Sequence, residues 1–419
     1  MSVLVLGAGG AGISAVQAIR SIDKKIEINI VSKEKYMPYS LCGLPDFISG
    51  KISMKVLSRL DADFFAKSNI NLMLGKEVIR VDPTRKIVIF KSKSTKDVTE
   101  TLKFDKLLIA VGSKPIIPSI PGLHKKQVYI VTNLESCKNI IRGLKKATKI
   151  AVIGSGFVGI ECAQALKQRK KDIFVIEILD RILANMFDEE ISNIAQEILE
   201  DQGINFILGN KVKEIIGDNE VEGLELTDRK IDCDMVLLTV GFRPNIDIVR
   251  DSKIKVNQGI IVDDFMESNI KDIFAAGDIA ESFDCIYRRP GLKATWPNAV
   301  EQGHIAGLNI AGKRSKYPGF QSFNIIDINN TPFLSMGNIT NLPENCSNFL
   351  LKGIDCTRKI FIQNDKIIGI EFHGDISNSG HLFSLINKGS NIKGYNKKIL
   401  SNYFRHRWNG SIMAQNMIK

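Results

Sequence analysis

The sequence predicts an α/β protein in two sheet-and-helix units, followed by a smaller α+β domain. Three observations carry that prediction. Short apolar strands alternate with helical patterns over roughly the first 280 residues, as parallel sheets covered by helices require. The segment Val3-Leu-Val-Leu-Gly-Ala-Gly-Gly-Ala-Gly12 returns as Ile150-Ala-Val-Ile-Gly-Ser-Gly-Phe-Val-Gly159. From about Pro318 the pattern changes to strands, at Phe333–Gly337, Lys359–Gln363 and Ile367–Phe372, with a hairpin turn at Asn364-Asp-Lys366. A chain of 419 residues is long enough for two to three domains.

Each copy of the repeated segment is a buried strand running through G-x-G-x-x-G into a helix, the context that gives the motif its meaning. Gly7 and Gly154 permit the tight turn, Gly9 and Gly156 let backbone approach a pyrophosphate, and Gly12 and Gly159 let helix and strand pack closely. The helix N-terminus offers free N–H groups to the anion. Two such copies predict two bound dinucleotides, hence two Rossmann-like (three-layer ββα) domains. The second unit ends in Ile173-Phe-Val-Ile-Glu177, and a carboxylate there favours NAD(H) over NADP(H), with Arg181 nearby moderating the preference. The first unit ends in Ser32-Lys33-Glu34. Either Ser32 and Glu34 share the ribose contact, or the first site holds its adenosine less tightly.

Composition narrows the class. Hydrophobic residues at 44% and charged residues at 25% are the balance of a globular protein. No run of eighteen apolar residues exists, so no membrane span is expected, and the chain opens on an apolar strand rather than a secretory signal. The seven cysteines form no C-x-x-C pair, which argues against a disulfide framework or a thiolate metal site, and points to reducing cytoplasm. The five histidines form no ligand spacing, so no metal is expected. The net charge is +11, and Ile376 to Lys419 carries seven basic residues and no acidic one. That tail is either a solvated face or a patch for an anionic partner. Tyr403 and Trp408 in it are read as an interface anchor rather than a nucleic-acid contact.

The chain resembles the FAD-dependent pyridine nucleotide-disulfide oxidoreductases. Beyond the two glycine turns, Phe104-Asp-Lys-Leu-Leu-Ile-Ala-Val-Gly-Ser-Lys-Pro115 and Asp234-Met-Val-Leu-Leu-Thr-Val-Gly-Phe-Arg-Pro-Asn245 resemble the two crossings between the family's domains. Asp272-Ile-Phe-Ala-Ala-Gly-Asp278 and Thr295-Trp-Pro-Asn-Ala-Val-Glu-Gln-Gly303 resemble its flavin-contacting segments. The resemblance implies FAD in residues 1–112 and 245–317, NAD(H) in 113–244, and a C-terminal α+β dimerisation-type domain over 318–419. It implies FAD contacts from Gly7, Gly9, Gly12, Ser32, Glu34, Gly112, Gly277, Asp278, Asn298 and Ala299. Asp278 would hold the ribityl chain, and the helix start near Asn298 and Ala299 would face the flavin pyrimidine. NAD(H) contacts would come from Gly154, Gly156, Phe157, Gly159, Glu161, Glu177 and Gly241, with Phe157 as a gate and Glu161 orienting the nicotinamide amide. NADH is expected ahead of NADPH.

Pro38-Tyr-Ser-Leu-Cys-Gly-Leu-Pro45 carries one cysteine where two-cysteine members have C-x4-C. That resembles the single-cysteine branch of coenzyme A disulfide reductases, NADH oxidases and peroxidases, and polysulfide reductases. Cys42 just ahead of a predicted helix would gain thiolate character and act as the redox centre; the other six cysteines are read as structural. The peroxidase branch has a histidine where this chain has Gly10. Coenzyme A disulfide reductases are matched by Cys42-Gly-Leu-Pro45, with Arg20 placed to meet a CoA phosphate, but their Pro-Pro-aromatic stretch is missing. Gly374-Asp-Ile-Ser-Asn-Ser-Gly380 and the basic tail look more like reductases that serve a protein partner. His406 has none of the motif around the C-terminal base of two-cysteine relatives.

The expected function is an NADH-dependent flavoenzyme that reduces a small disulfide, polysulfide or oxygen through Cys42. The alternative is an electron-input component for an acidic redox protein docked on the basic tail, as in rubredoxin or ferredoxin reductases or a subunit of a larger complex. A non-catalytic flavin-based NADH sensor is the third reading. A homodimer is expected by analogy.

Overall fold

A continuous apolar run makes Ser2–Leu6 the central strand of a parallel sheet, since such a strand is covered on both faces. The computed structural model describes residues 1–58, 60, 62–92, 99–285, 289–320, 322–340 and 342–394. Their backbone falls into two compact units. The first comprises Met1–Pro118, Ile130–Arg142 and Val240–Phe320. Its five-stranded sheet has the order Ile273–Ala275, Lys106–Ile109, Ser2–Leu6, Glu27–Ser32, Ile70–Leu74, every pair parallel. An antiparallel meander, Lys76–Asp82, Ile87–Ser92 and Thr99–Lys103, supplies the further β layer.

The helices Gly10–Ile22 and Trp296–Ile310 pack against each other in this unit. The approach is close enough to require small residues: a Cβ on Gly303 would lie 2.1 Å from the carbonyl oxygen of Ala11, and one on Gly307 2.3 Å from that of Ala15. At the far end of the first helix Arg20 donates to the carbonyls of Ser68 at 2.6 Å, Asn69 at 2.8 Å and Asp23 at 3.3 Å. Its guanidinium therefore closes off a helix end. The expectation that Arg20 meets a CoA phosphate is corrected by these three bonds.

The second unit comprises Ser119–Tyr129, Gly143–Thr239 and the chain from Gln321 onward. Its sheet has the order Ile204–Ile207, Asp172–Ile176, Lys149–Ile153, Met235–Leu238, Val128–Ile130, with parallel pairing among the first four. A meander of Val212–Ile216, Gly223–Leu226 and Lys230–Asp232 repeats the device of the first unit. The same unit holds the C-terminal antiparallel sheet, ordered Phe323–Ile328, Thr331–Gly337, Lys366–His373, Thr357–Gln363, Ser347–Lys352. The helix Ser379–Lys388 lays Leu382 and Leu385 on Ile370 and Phe372 of that sheet. The expected strands of this region are present, each longer by two residues. Buried Arg358 secures the turn before the helix through the carbonyls of Asp375 and Ser377. The α/β fold class expected from the sequence is the one observed. Most of the basic tail, with Tyr403, His406 and Trp408, lies outside the described residues.

Candidate functional site: two glycine turns and an exposed cysteine

Both glycine turns sit at the carboxyl end of a central parallel strand, where a crevice opens in such sheets. In the first, Gly7 donates to the carbonyl of Val31 at 2.8 Å and adopts φ +103°; a Cβ on Gly12 would stand 2.0 Å from the Gly7 oxygen. The second repeats it, with Gly154 at φ +104° donating to Ile176 at 2.8 Å, and Gly159 equally close to the Gly154 oxygen. The middle glycines differ in kind. At Gly9 and at Gly156 nothing lies within 4 Å of where a Cβ would point. Neither following helix, Gly10–Ile22 or Phe157–Gln168, has a side-chain cap on its N-terminus. Open space beside an uncapped helix end fits a pyrophosphate on physical grounds, in both copies.

The acidic residue of the second turn is firmly held. Glu177 Oε2 accepts from the backbone N–H and the hydroxyl of Ser155, both at 2.8 Å, and Oε1 accepts from Leu179 N–H at 3.0 Å. Thr239 adds a hydroxyl bond to the carbonyls of Ile153 and Gly154 at 2.9 and 3.0 Å. Phe157 is the first residue of the helix and Glu161 stands one turn later. In the first unit Ser32 is buried, and its hydroxyl accepts from the Glu34 N–H at 3.2 Å. Sequence reasoning passed over Ser155 and Thr239, although Ser155 lies inside the motif itself.

At the flavin-type segments, Gly112 (φ +67°), Gly241 (φ +102°) and Gly277 (φ +81°) make the sharp turns. Asp278 accepts from the Ser113 hydroxyl at 2.9 Å; burial raises its pKa, and Ser113 opposes the rise. Gly277 N–H donates to Gln302 Oε1 at 2.8 Å, so the helix Trp296–Ile310 steadies the turn that carries Asp278. Asn298 and Ala299 lie in the first turn of that helix, and Asn298 Nδ2 donates back to the Lys293 carbonyl at 3.4 Å. Ser113 and Gln302 were also missed, though each lies within a quoted segment. These residues could hold the ribityl and pyrimidine ends of a flavin dinucleotide.

Cys42 sits in the short 3-10 turn Leu41–Gly43, exposed and outside any disulfide, and the helix Leu44–Ser49 follows at once. The turn is bounded by Ser40, whose N–H donates to the Leu57 carbonyl at 3.2 Å. Ser40 and Leu57 line a mostly apolar cavity of about 230 Å³ together with Gly10, Tyr39 and Trp296. Tyr39 is anchored by accepting the Leu134 N–H at 2.8 Å, and burial raises its phenol pKa. The Trp296 ring lies 3.2 to 3.3 Å from the place a Gly10 Cβ would take. The position where the peroxidase branch has its histidine is thus filled by an indole. Among the described residues no three histidine, cysteine or acidic side chains gather as a metal site, and no helix is long and apolar enough to cross a membrane.

Two parallel-sheet units with matching glycine turns, and an exposed cysteine in the turn that follows the cavity-lining residues Pro38, Tyr39 and Ser40, define a two-dinucleotide oxidoreductase. Residues 1–303 match the family model described as pyridine nucleotide-disulphide oxidoreductase, and the chain belongs to that family. FAD and NAD(P)H are the cofactors that go with it. The chain is 31% identical over 399 residues to a nitrite reductase [NAD(P)H] of Bacillus subtilis, covering 94% of this chain and 48% of that protein. It therefore spans about half the length of that relative. Among solved structures, an NAD-dependent persulfide reductase from A. fulgidus matches with TM-score 0.88 and 25% identity, over 93% of this chain and 77% of that one. The NADH:rubredoxin oxidoreductase from Clostridium acetobutylicum matches with TM-score 0.79 and 28% identity, over 96% and 99%.

Proposed function

We propose that this chain oxidises NADH and delivers the electrons, by way of Cys42, to a small disulfide, polysulfide or oxygen acceptor. The observation that carries the reading is the placement of Cys42: exposed, in a turn whose preceding residues, Pro38, Tyr39 and Ser40, line an apolar cavity shared with the first glycine turn. FAD bound on that turn supplies the step from hydride to electron pair. The protein's share is to orient and to shield. Ser113 and Gln302 fix the Asp278 turn, Glu177 selects NADH by receiving ribose hydroxyls and repelling a 2′-phosphate, and the apolar wall of Tyr39, Leu57 and Trp296 keeps water from the acceptor. Two family relatives with solved structures, one named for persulfide and one for rubredoxin, are compatible with this chemistry.

The test is an anaerobic titration with NADH, followed by visible absorbance, on wild type and Cys42→Ser. With Cys42 held at rest as a sulfenic acid or a mixed disulfide with a small thiol, wild type is expected to consume two NADH equivalents per FAD, and the variant one. The first releases the Cys42 thiolate, seen as a long-wavelength band against oxidised flavin, and the second reduces the flavin. One equivalent in both, without the band, would overturn the role of Cys42.

A second reading makes the chain an electron-input component for a redox protein. The length match to the rubredoxin oxidoreductase and the half-length match to the nitrite reductase favour it. It expects electron delivery to an acidic partner to fall steeply with salt and with removal of the chain beyond Gly389. A cytoplasmic homodimer, formed through the C-terminal sheet, belongs to both readings and is checked by light scattering of the purified protein.

A further inference from the structure

Glu371 lies in the strand Lys366–His373, wholly shielded from solvent, with Ser335 opposite it on one neighbouring strand and Lys359 on the other. On this face the sheet receives the segment Phe187–Glu190, which leads into the helix Glu189–Asp201. The Asp188 N–H donates to Glu371 Oε1 at 2.7 Å, Phe187 packs edge-on to Phe333 at 6.1 Å, and Asp188 Oδ1 caps the helix by accepting from Ile191 at 3.0 Å. Glu371 Oε2 has no hydrogen-bond partner. Lys359 pairs with Asp188 and, at 3.3 Å, with Glu190; Lys352 pairs with Glu190 at 2.5 Å. The other titratable group on this strand face is His373, stacked on Phe333 at 4.7 Å with Asp355 as the carboxylate acting on it. Arg358 belongs to the opposite face, over Phe372.

Two ammonium groups thus meet three carboxyls, Lys352 from the solvent side and Lys359 from within, and the charges balance only when one carboxyl holds a proton. Glu371 is the one to hold it. Burial first, and the Asp188 carboxylate second, push it up to about 9. From this contact a short run of backbone bonds reaches the second glycine turn. Phe187 donates to the Leu183 carbonyl at 3.1 Å, Leu183 donates to the Ser155 carbonyl at 3.1 Å, and Ser155 holds Glu177.

We propose that Glu371, while it keeps its proton, is a positioning residue for the nicotinamide coenzyme: through Asp188 it clamps segment 183–188, which in turn fixes Ser155 and Glu177. When the proton leaves, two carboxylates share the buried contact and the clamp loosens. The proposal rests on the second glycine turn as the coenzyme seat, and its test has two arms so that either can fail alone.

The first arm needs no coenzyme. Amide hydrogen exchange over residues 183–188 is measured at pH 6.5 and 9.5 in the FAD-loaded wild type, Glu371→Gln and Glu371→Leu. At pH 9.5 the wild type is expected to exchange about fivefold faster than Glu371→Gln, and at pH 6.5 alike. Glu371→Leu, lacking the acceptor for Asp188, is expected to exchange fast at both. The second arm is NADH affinity on the same proteins. Wild type is expected to weaken about fivefold relative to Glu371→Gln across that pH interval. Parallel pH profiles for wild type and Glu371→Gln, or slow exchange in Glu371→Leu at pH 6.5, overturn the clamp. Exchange that follows Glu371 while no variant binds NADH overturns the coenzyme seat instead.

Discussion

Ser155 gives Glu177 two hydrogen bonds to a single carboxylate oxygen, one from its backbone and one from its hydroxyl. The glycine turn and the Glu177 carboxylate are therefore held as one piece, and the orientation of Glu177 is set by the protein's own hydrogen bonds.

Ser155→Ala keeps the backbone bond and loses the hydroxyl one. A hydrogen bond to a charged group contributes roughly 1.5–3 kcal/mol, and part of that reaches the coenzyme through Glu177, so NADH affinity is expected to fall about three- to tenfold. FAD content should be unchanged. Equilibrium titration by NADH fluorescence measures the first, and absorbance of the purified protein the second. Glu177→Gln, measured in the same way, is expected to narrow the preference for NADH over NADPH.

Gly10→His is expected to destabilise the first unit rather than confer peroxidase chemistry. Its Cβ would meet three atoms of the Trp296 ring at 3.2 to 3.3 Å. Overpacking of that kind costs about 1–3 kcal/mol. Thermal melting should show the loss, and the double variant with Trp296→Ala should recover most of it.

Tyr39→Phe removes the acceptor of the Leu134 N–H and leaves that donor without its bond. The cost is about 1–3 kcal/mol if no water replaces the phenol. Since Tyr39 lines the cavity and stands three residues ahead of Cys42, the half-reaction with the acceptor should slow while flavin reduction by NADH proceeds at the wild-type rate. Stopped-flow measurement of the two half-reactions separates these outcomes.

The proton on Glu371 has a signature in stability as well as in binding. Its folded pKa is raised from 4.5 to about 9, so between those values the folded chain holds a proton that the unfolded chain has released. Stability from this group is therefore present at acid pH and is lost progressively as pH rises from about 4.5 towards 9. Glu371→Gln should show no such loss. Its melting temperature, compared with wild type at each pH, is expected to draw ahead steadily and level off above pH 9.

The two dinucleotide units were legible in the sequence because their signal is local. Gly7 and Gly12, like Gly154 and Gly159, make contacts within six residues of each other, and the strand and helix around them follow from one short window. Asp278 was legible for the same reason. Its partners were not: Ser113 stands 165 positions away and Gln302 reaches Gly277 from another helix, and nothing in either residue's surroundings announces the pairing. Arg20 shows the converse failure. A cation at the end of the first helix reads as a phosphate ligand, yet the carbonyls of Ser68 and Asn69 claim it, and only the folded chain brings them there. Glu371 was illegible outright, because an acidic residue in an apolar strand looks solvent-facing until Asp188 covers it.

The sheet of the first unit has a consequence for how the protein is made. Its edge strand Ile273–Ala275 and the helix that packs on Gly10–Ile22 emerge from the ribosome more than 250 residues after the strand Ser2–Leu6 they complete. The stretch Gly143–Thr239, which carries the second glycine turn, is continuous and is finished first. Once Thr239 has been released, the second unit has its whole central sheet, while the first unit still lacks the edge strand Ile273–Ala275, the helix Trp296–Ile310 and the small sheet of Ile260–Ile261, Ala280–Asp284 and Arg289–Gly291. Folding order in synthesis is expected to run from the middle outwards, with flavin capture as the late event.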